Sequence, residues 1–469
     1  MSHATEVSES SEYLQKRQLR KGTAGWVLLA GLGVSYVISG DYAGWNAGLL
    51  EGGFGGLLIA AVIIAAMYFA MVLGMAEMSS ALPAAGGGYT FARRAMGPWG
   101  GFATGTAILI EYAIAPAAIA TFIGGYVESL DLFGISDGWW VYLAVYIIFI
   151  GIHLVGAGEA LKAMFVITAI ALVGLVIFGI AAVGSFDASL LTDIAADPDA
   201  AGSSDFLPFG YLGIWSAIPF AIWFFLAIEG VPLAAEEAEN PEKNVPRGII
   251  AAMGVLLLTC ALVLFLATGA LGAQGVGESV NPLVDAIDGS AATVVNYIGL
   301  AGLIASFFSI MYAYSRQLFA LSRAGYLPTA LSVTNSRKAP TWALIIPGII
   351  GFGLTFTGEG AILLNMAVFG AALSYVLMMV SHIVLRVREP GMPRPYKTPG
   401  GIYTTGFALV IAVASVIATF LVDTTAALWC LAAFVAFMAY FGLYSRKHLV
   451  ANSPDEEFAL LAESDEELE

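Results

Sequence analysis

Asp41, Glu111 and Glu229 stand inside apolar runs, where an ionisable side chain is costly. A carboxylate surrounded by hydrocarbon needs a proton, a cation or a hydrogen-bond donor. Two of the three sit beside a glycine, as Gly40–Asp41 and Glu229–Gly230, and Pro232 follows the second pair. Gly weakens a helix and Pro removes an amide donor, so both runs are expected to break there. A broken helix exposes free N–H and C=O groups that can hold a solute or ion. The candidate binding residues are therefore Ser39, Gly40, Asp41 and Tyr42 at the first break, with Trp223, Glu229 and Gly230 at the second. Glu111 and Tyr312 are candidate coupling or gating residues.

Each has a plainer alternative. Asp41 suits an ammonium contact or a helix N-cap, and its two oxygens can serve both. Glu229 suits ammonium binding, proton carriage or the tying down of unwound backbone. Glu111 is a proton carrier or an interhelical contact. Tyr36, Trp45, Phe224 and Phe225 would line a cation pocket or simply pack; an ammonium over a desolvated ring gains about 0.5–2 kcal/mol. Arg316 and Arg323 can meet Glu236, Glu237 or Glu239 as a gate, or set topology and make surface ion pairs, which is the favoured reading.

The elements that must position these residues are twelve apolar stretches: 24–50, 54–79, 98–128, 138–156, 161–184, 210–235, 247–272, 292–316, 341–357, 361–386, 402–421 and 425–444. Most are near the ~20 residues a helix needs to cross hydrocarbon. The chain is 59% hydrophobic and 12% charged, against roughly 25% charged in soluble domains. All 19 Lys and Arg fall in alternate loops and the tails, which predicts a cytoplasmic location for both termini. The polar first 23 residues do not read as a cleavable signal peptide.

Composition excludes several classes. The net charge of −16 gathers in the loop carrying Asp187, Asp193, Asp197, Asp199 and Asp205 and in the tail from Asp455 to Glu469. Nucleic acid is not an expected partner. Gly86-Gly87-Gly88 lacks the Lys-Ser/Thr of a phosphate cradle, and no His/Cys/Asp cluster has metal-ligand spacing. No cofactor is expected. Nor is an enzyme, since no nucleophile–base constellation is visible. Cys260 and Cys430 read as packing thiols. The expected organisation is a cytoplasmic tail (1–23), a five-helix repeat (24–184), an acidic extracytoplasmic loop (185–209), a second five-helix repeat (210–386), two further helices (387–446) and an acidic cytoplasmic tail (447–469). Five helices per half force the second repeat to run inverted, and the breaks then fall in the first helix of each half.

Four segments carry a family resemblance. They are Pro83-Ala-Ala-Gly-Gly-Gly-Tyr-Thr-Phe-Ala-Arg93 with Gly97-Pro-Trp-Gly-Gly-Phe102; Glu236-Glu-Ala-Glu-Asn-Pro-Glu-Lys-Asn-Val-Pro-Arg247; Ser315 to Pro328; and Arg394-Pro-Tyr-Lys-Thr-Pro-Gly400. In this order, at helix boundaries, they resemble the amino acid–polyamine–organocation permeases over nearly the whole chain. The resemblance implies an all-α membrane protein of 12 transmembrane helices. Its plan is a five-plus-five inverted repeat with discontinuous helices 1 and 6, two additional C-terminal helices, and alternating access.

Within that family, Ile38-Ser-Gly-Asp-Tyr-Ala-Gly-Trp-Asn46 and Ala227-Ile-Glu-Gly-Val-Pro-Leu-Ala-Ala-Glu-Glu237 most resemble the ethanolamine permease branch. Amino acid members typically show Gly-Ser-Gly at the first break, where N–H groups take the substrate carboxylate. Here Ile38 replaces the first Gly, and Asp41 follows Ser39 and Gly40. An acid there repels a carboxylate and welcomes an ammonium. The resemblance therefore implies a secondary transporter in the plasma membrane that imports ethanolamine or a related amine, with protons as coupling partners. The alternative is an amino acid permease or exchanger. Some proton-coupled members carry a Lys inside helix 5, but Lys162 stands at its start and 163–184 hold no Lys or Arg. Glu111, Asp41 and Glu229 are left as proton carriers. Oligomeric state is not legible.

Overall fold

Long apolar runs with few charges leave the backbone no partner but itself, so helices are the expected outcome. The structure, a computed structural model, describes residues 24–84, 86–131, 134–357 and 360–449. The basic N-terminal tail, the acidic segment beyond residue 449 and Ala85 of the first quoted motif lie outside the described residues. Among the described residues the chain is a helical bundle with two isolated β-bridges, Ala24 to Ala238 and Thr334 to Pro340.

The first half begins with α1 (Trp26–Val37), a single turn α2 (Ser39–Tyr42) and α3 (Ala47–Ala81). The first and second expected spans run together through α3, which turns at Gly53 with φ +67°. A side chain at Gly53 would strike the Pro208 ring at 2.2 Å, so both conformation and space call for glycine. α4 (Gly88–Ser129) begins ten residues before its expected span and turns at Gly97 in the same way. α5 (Trp139–Val155) and α6 (Ala157–Val183) follow.

The second half begins with α7 (Gly210–Trp223), an unwound stretch and a 3-10 segment, Ile228–Glu237. Then come α8 (Pro241–Leu271), the short α9 (Ala273–Glu278) and α10 (Pro282–Asp285), and α11 (Gly289–Arg323). The chain continues with α12 (Thr341–Leu354), α13 (Gly360–Arg388), α14 (Ile402–Val422) and α15 (Thr424–Leu443). Nine segments among the described residues are long and apolar enough to cross a membrane. Trp26–Val37, Trp139–Val155 and Thr341–Thr357 are shorter apolar helices. The first is short because the chain leaves the helix at Ile38; Gly40 and Asp41, where the break was expected, lie in the single turn that follows.

Burial grades from centre to rim. The apolar window of α4 is 83% buried, packed between α11 and α13, whereas that of Thr424–Lys447 is 22% buried. An outer helix so apolar and so exposed suits lipid as its solvent. α3 packs on α7 and α8, α1 on α8, and α11 on α6. Between α6 and α7 the acidic loop is structured. Asp187 accepts hydrogen bonds from the Ser189 N–H at 2.9 Å and its hydroxyl at 2.7 Å, which hold its carboxyl below the usual range. Cys260 and Cys430 are buried free thiols.

Candidate functional site

The first break is tight. Ile38 ends α1, one turn follows, and Ala43 is extended before Gly44 takes φ +94°. Asn46 holds the restart: its Oδ1 accepts from the Gly44 N–H at 3.1 Å, and its Nδ2 donates to the Val276 and Ser279 carbonyls at 2.9 Å. The second break runs from Phe224 to Ala227, which adopts φ +76° without being glycine. A left-handed non-glycine residue costs roughly 1–2 kcal/mol.

The two breaks touch. A Cβ on Gly40 would lie 2.5 Å from the Trp223 carbonyl oxygen, so only glycine fits between these backbones. The Trp223 indole N–H donates to the Ala43 carbonyl at 3.0 Å, and Trp45 stacks on Phe224 with ring centroids 5.3 Å apart. Trp45, Phe224 and Trp223 are buried, so these aromatics join the two breaks to each other.

Glu111 of α4 and Glu229 of the 3-10 segment come together, although 118 positions separate the two residues in sequence. Both are buried. Tyr112, beside Glu111, donates its hydroxyl to Glu229 Oε1 at 2.7 Å. Beyond the contact of the two carboxyls with each other, no donor lies at hydrogen-bond distance from the other Glu229 oxygen or from either Glu111 oxygen. Around them stand Tyr68 and Tyr375, joined hydroxyl to hydroxyl at 2.7 Å, and Tyr36, whose ring would lie 3.1 Å from a Cβ on Gly230.

The remaining predicted residues are placed elsewhere around this centre. Ser39 shares a hydrogen bond with Ser306 of α11 at 2.8 Å, and Ser35 shares one with Ser309 at 2.6 Å. The Tyr42 hydroxyl donates to the Ala171 carbonyl of α6 at 2.7 Å. Asp41 is buried with no hydrogen-bond partner for either oxygen. It therefore caps no helix in this structure, contrary to the alternative its residue type allowed. Tyr312 lies beneath a guanidinium, with the Arg316 carbon 4.2 Å from its ring centroid.

That arginine closes one end of the bundle. Arg316 donates to Glu237 Oε1 through Nη2 at 2.6 Å and Nε at 3.0 Å, with side chains only 5% and 12% exposed. Arg323 meets Glu236 at 2.8 Å. The favoured reading of surface ion pairs is thus corrected for Arg316, because helix packing dries the pair. The same end is tied to α1: the Ala24 N–H donates to the Glu237 carbonyl at 3.3 Å, and the Glu239 N–H donates to the Ala24 carbonyl at 3.0 Å.

Sequence reasoning missed one buried charge centre. Glu77, in the last turns of α3, receives Arg394 Nε at 2.9 Å, Arg386 Nη2 at 2.6 Å, the Thr398 N–H at 2.7 Å and His382 Nε2 at 3.3 Å. Arg394 and Thr398 lie in the Arg394–Gly400 motif. That motif is therefore the strap that holds α3 and α13 together. The available signal was an acid inside an apolar span, the same signal that picked out Glu111.

Apolar helices interrupted at two abutting breaks, with buried carboxyls at the junction, fit a multi-pass membrane transporter. The match to the amino acid permease family covers residues 27–450, and the chain belongs to that family. It is a family of membrane permeases, not of enzymes. The chain is 28% identical to the branched-chain amino acid permease BcaP of Bacillus subtilis (strain 168), over 85% of this chain and 87% of that one. It is also 28% identical to the methylthioribose transporter of the same organism, over 89% and 90%. An uncharacterized transporter of Rhizobium meliloti (strain 1021) is 27% identical, over 83% and 85%.

Proposed function

We propose that the chain is a secondary transporter for a small amine-bearing solute, an amino acid, and that it works by alternating access. The observation that carries this reading is the Glu111–Glu229 pair, two buried carboxyls in contact with each other, to one of which Tyr112 donates its hydroxyl. An unsatisfied buried polar atom costs about 1–3 kcal/mol, and more when charged. An acceptor-rich centre calls for a donor-rich guest, and an ammonium group or a proton is that guest. Glu229 with Gly230 then forms the solute contact and Glu111 the proton-carrying coupling group, while Gly40 and Trp223 shape the junction. The similarity to branched-chain amino acid permeases supports an amino acid as the solute.

The wider arrangement belongs to the same reading. Counting the three shorter apolar helices as spans gives twelve, in two inverted repeats, 24–184 and 210–386, followed by two added helices. The end carrying Arg316 and Arg323 faces the cytoplasm of a plasma membrane, with both termini on that side.

One residue favours a second reading, ethanolamine. Asp41 directly follows Ser39 and Gly40, where a substrate carboxylate would otherwise dock. Uptake into proteoliposomes separates the two, using labelled branched-chain amino acids and labelled ethanolamine with and without an inward proton gradient. Saturable, gradient-stimulated uptake of an amino acid, not competed by ethanolamine, is the expected result. Ethanolamine uptake blocked by no amino acid would overturn it in favour of the second reading.

A further inference from the structure

The strap between α13 and α14 carries more positive charge than its own fold neutralises. Arg386 and Arg394 share Glu77, and Arg94 of α4 holds Glu389 at 2.9 Å. Arg388 and Lys397 are exposed and have no acid partner among the described residues. The Arg388 guanidinium reaches only the Ala95 carbonyl, at 3.5 Å. Two helix ends meet here: a Cβ on Gly401 would lie 3.6 Å from Arg386 Nη1. The first turn of α14 holds no acid, so its amides add to the positive field instead of opposing it.

These cations border the lipid-facing surface. Val387, beside Arg388, is 67% exposed, and Tyr403, in the first turn of α14, is 84% exposed. Apolar and aromatic side chains next to free cations mark the depth of the lipid headgroups. Anionic phosphates are the counter-ions available at that depth. A guanidinium can grip two oxygens of one phosphate, and a lysine adds a point charge. We infer that the ends of α13 and α14, with the strap between them, form a binding surface for the headgroup of an anionic phospholipid. Arg388 and Lys397 meet the phosphate, Arg386 stands behind it, and Tyr403 packs on the glycerol and upper acyl chain. A lipid seated there would bridge α13 to α14 outside the Glu77 cluster. The surface needs only that the chain is embedded in a membrane, so it stands whichever solute the Glu111–Glu229 pair takes.

The test is the melting temperature of the full chain in neutral detergent, titrated with phosphatidylglycerol or with phosphatidylcholine. Phosphatidylglycerol should raise it by about 2 °C or more over phosphatidylcholine. Arg388→Gln and Lys397→Gln should each raise the half-saturating lipid concentration about fivefold. Arg247→Gln, an exposed cation at the start of α8, should leave it unchanged. Equal effects of the two lipids would overturn the inference. So would the same loss in Arg247→Gln, which would make the attraction one of general surface charge. Inorganic phosphate giving the same rise would assign the cations to a free anion and overturn it as well. If Arg388→Gln and Lys397→Gln melt lower than the wild type and neither lipid matters, the acidic segment from Asp455 to Glu469 is the occupant and the lipid surface falls.

Discussion

Gly40 and Trp223 meet backbone to backbone: a methyl group on Gly40 would stand 2.5 Å from the Trp223 carbonyl oxygen. The obstacle is main chain in a buried turn, and it cannot swing aside as a side-chain tip would. Gly40→Ala should therefore force the two breaks apart. Overpacking of this kind costs about 1–3 kcal/mol. Uptake should fall sharply while the purified variant melts a few degrees lower. Wild-type uptake by this variant would show that the junction does not need close contact.

Tyr112 and Glu229 test the binding centre separately. Tyr112→Phe removes one donor to a carboxylate, a bond worth about 1.5–3 kcal/mol, and should weaken solute affinity about tenfold or more. Glu229→Gln should abolish uptake. Glu111→Gln should leave solute binding measurable by calorimetry but remove the response of uptake to a proton gradient. Loss of binding in Glu111→Gln would make it a solute contact instead.

The Arg316–Glu237 pair should behave as a dry ion pair. Removing one partner strands the other, at a cost of about 3–5 kcal/mol. Arg316→Gln and Glu237→Gln should each lower the melting temperature more than Arg323→Gln, because the Glu236 side chain is 22% exposed. The double variant should be less destabilised than the sum of the two single variants. Additive losses would mean the pair is not coupled.

Glu77 gathers two arginines, a histidine and a main-chain amide. Glu77→Ala should be the most destabilising single change outside the two breaks, by about 3–5 kcal/mol. Limited proteolysis should then cut the strap between α13 and α14, where the wild-type chain resists. Unaltered cleavage would show that the strap is held by other contacts.

Ala227 carries the reverse expectation. Its φ of +76° is unfavourable for alanine, so Ala227→Gly should be neutral or stabilising by up to about 1 kcal/mol, and Ala227→Val should be destabilising. The melting temperatures of the two variants give the sign directly.

The amino-acid sequence by itself determined the class and the places where the helices fail. Apolar length, alternation of basic loops, and a glycine beside an acid are local properties, so Gly40–Asp41 and Glu229–Gly230 point to the breaks to within a few residues: the first pair lies in the single turn between two interruptions, and the second just after the Phe224–Ala227 break. The acids Asp41, Glu111 and Glu229 were legible for the same reason: a charge in an apolar run is conspicuous wherever it points. Their pairing was not. Whether Glu111 meets Glu229 depends on how α4 and the 3-10 segment after the second break are rotated against their neighbours. That rotation is set by side-chain packing among helices more than a hundred residues apart in the chain. Glu77 and the Arg394–Gly400 motif show the same limit, since neither names the other in sequence. Only the packed bundle brings them within hydrogen-bond distance, because in a dry interior every buried charge must find the partner that the fold, and not the local sequence, places beside it.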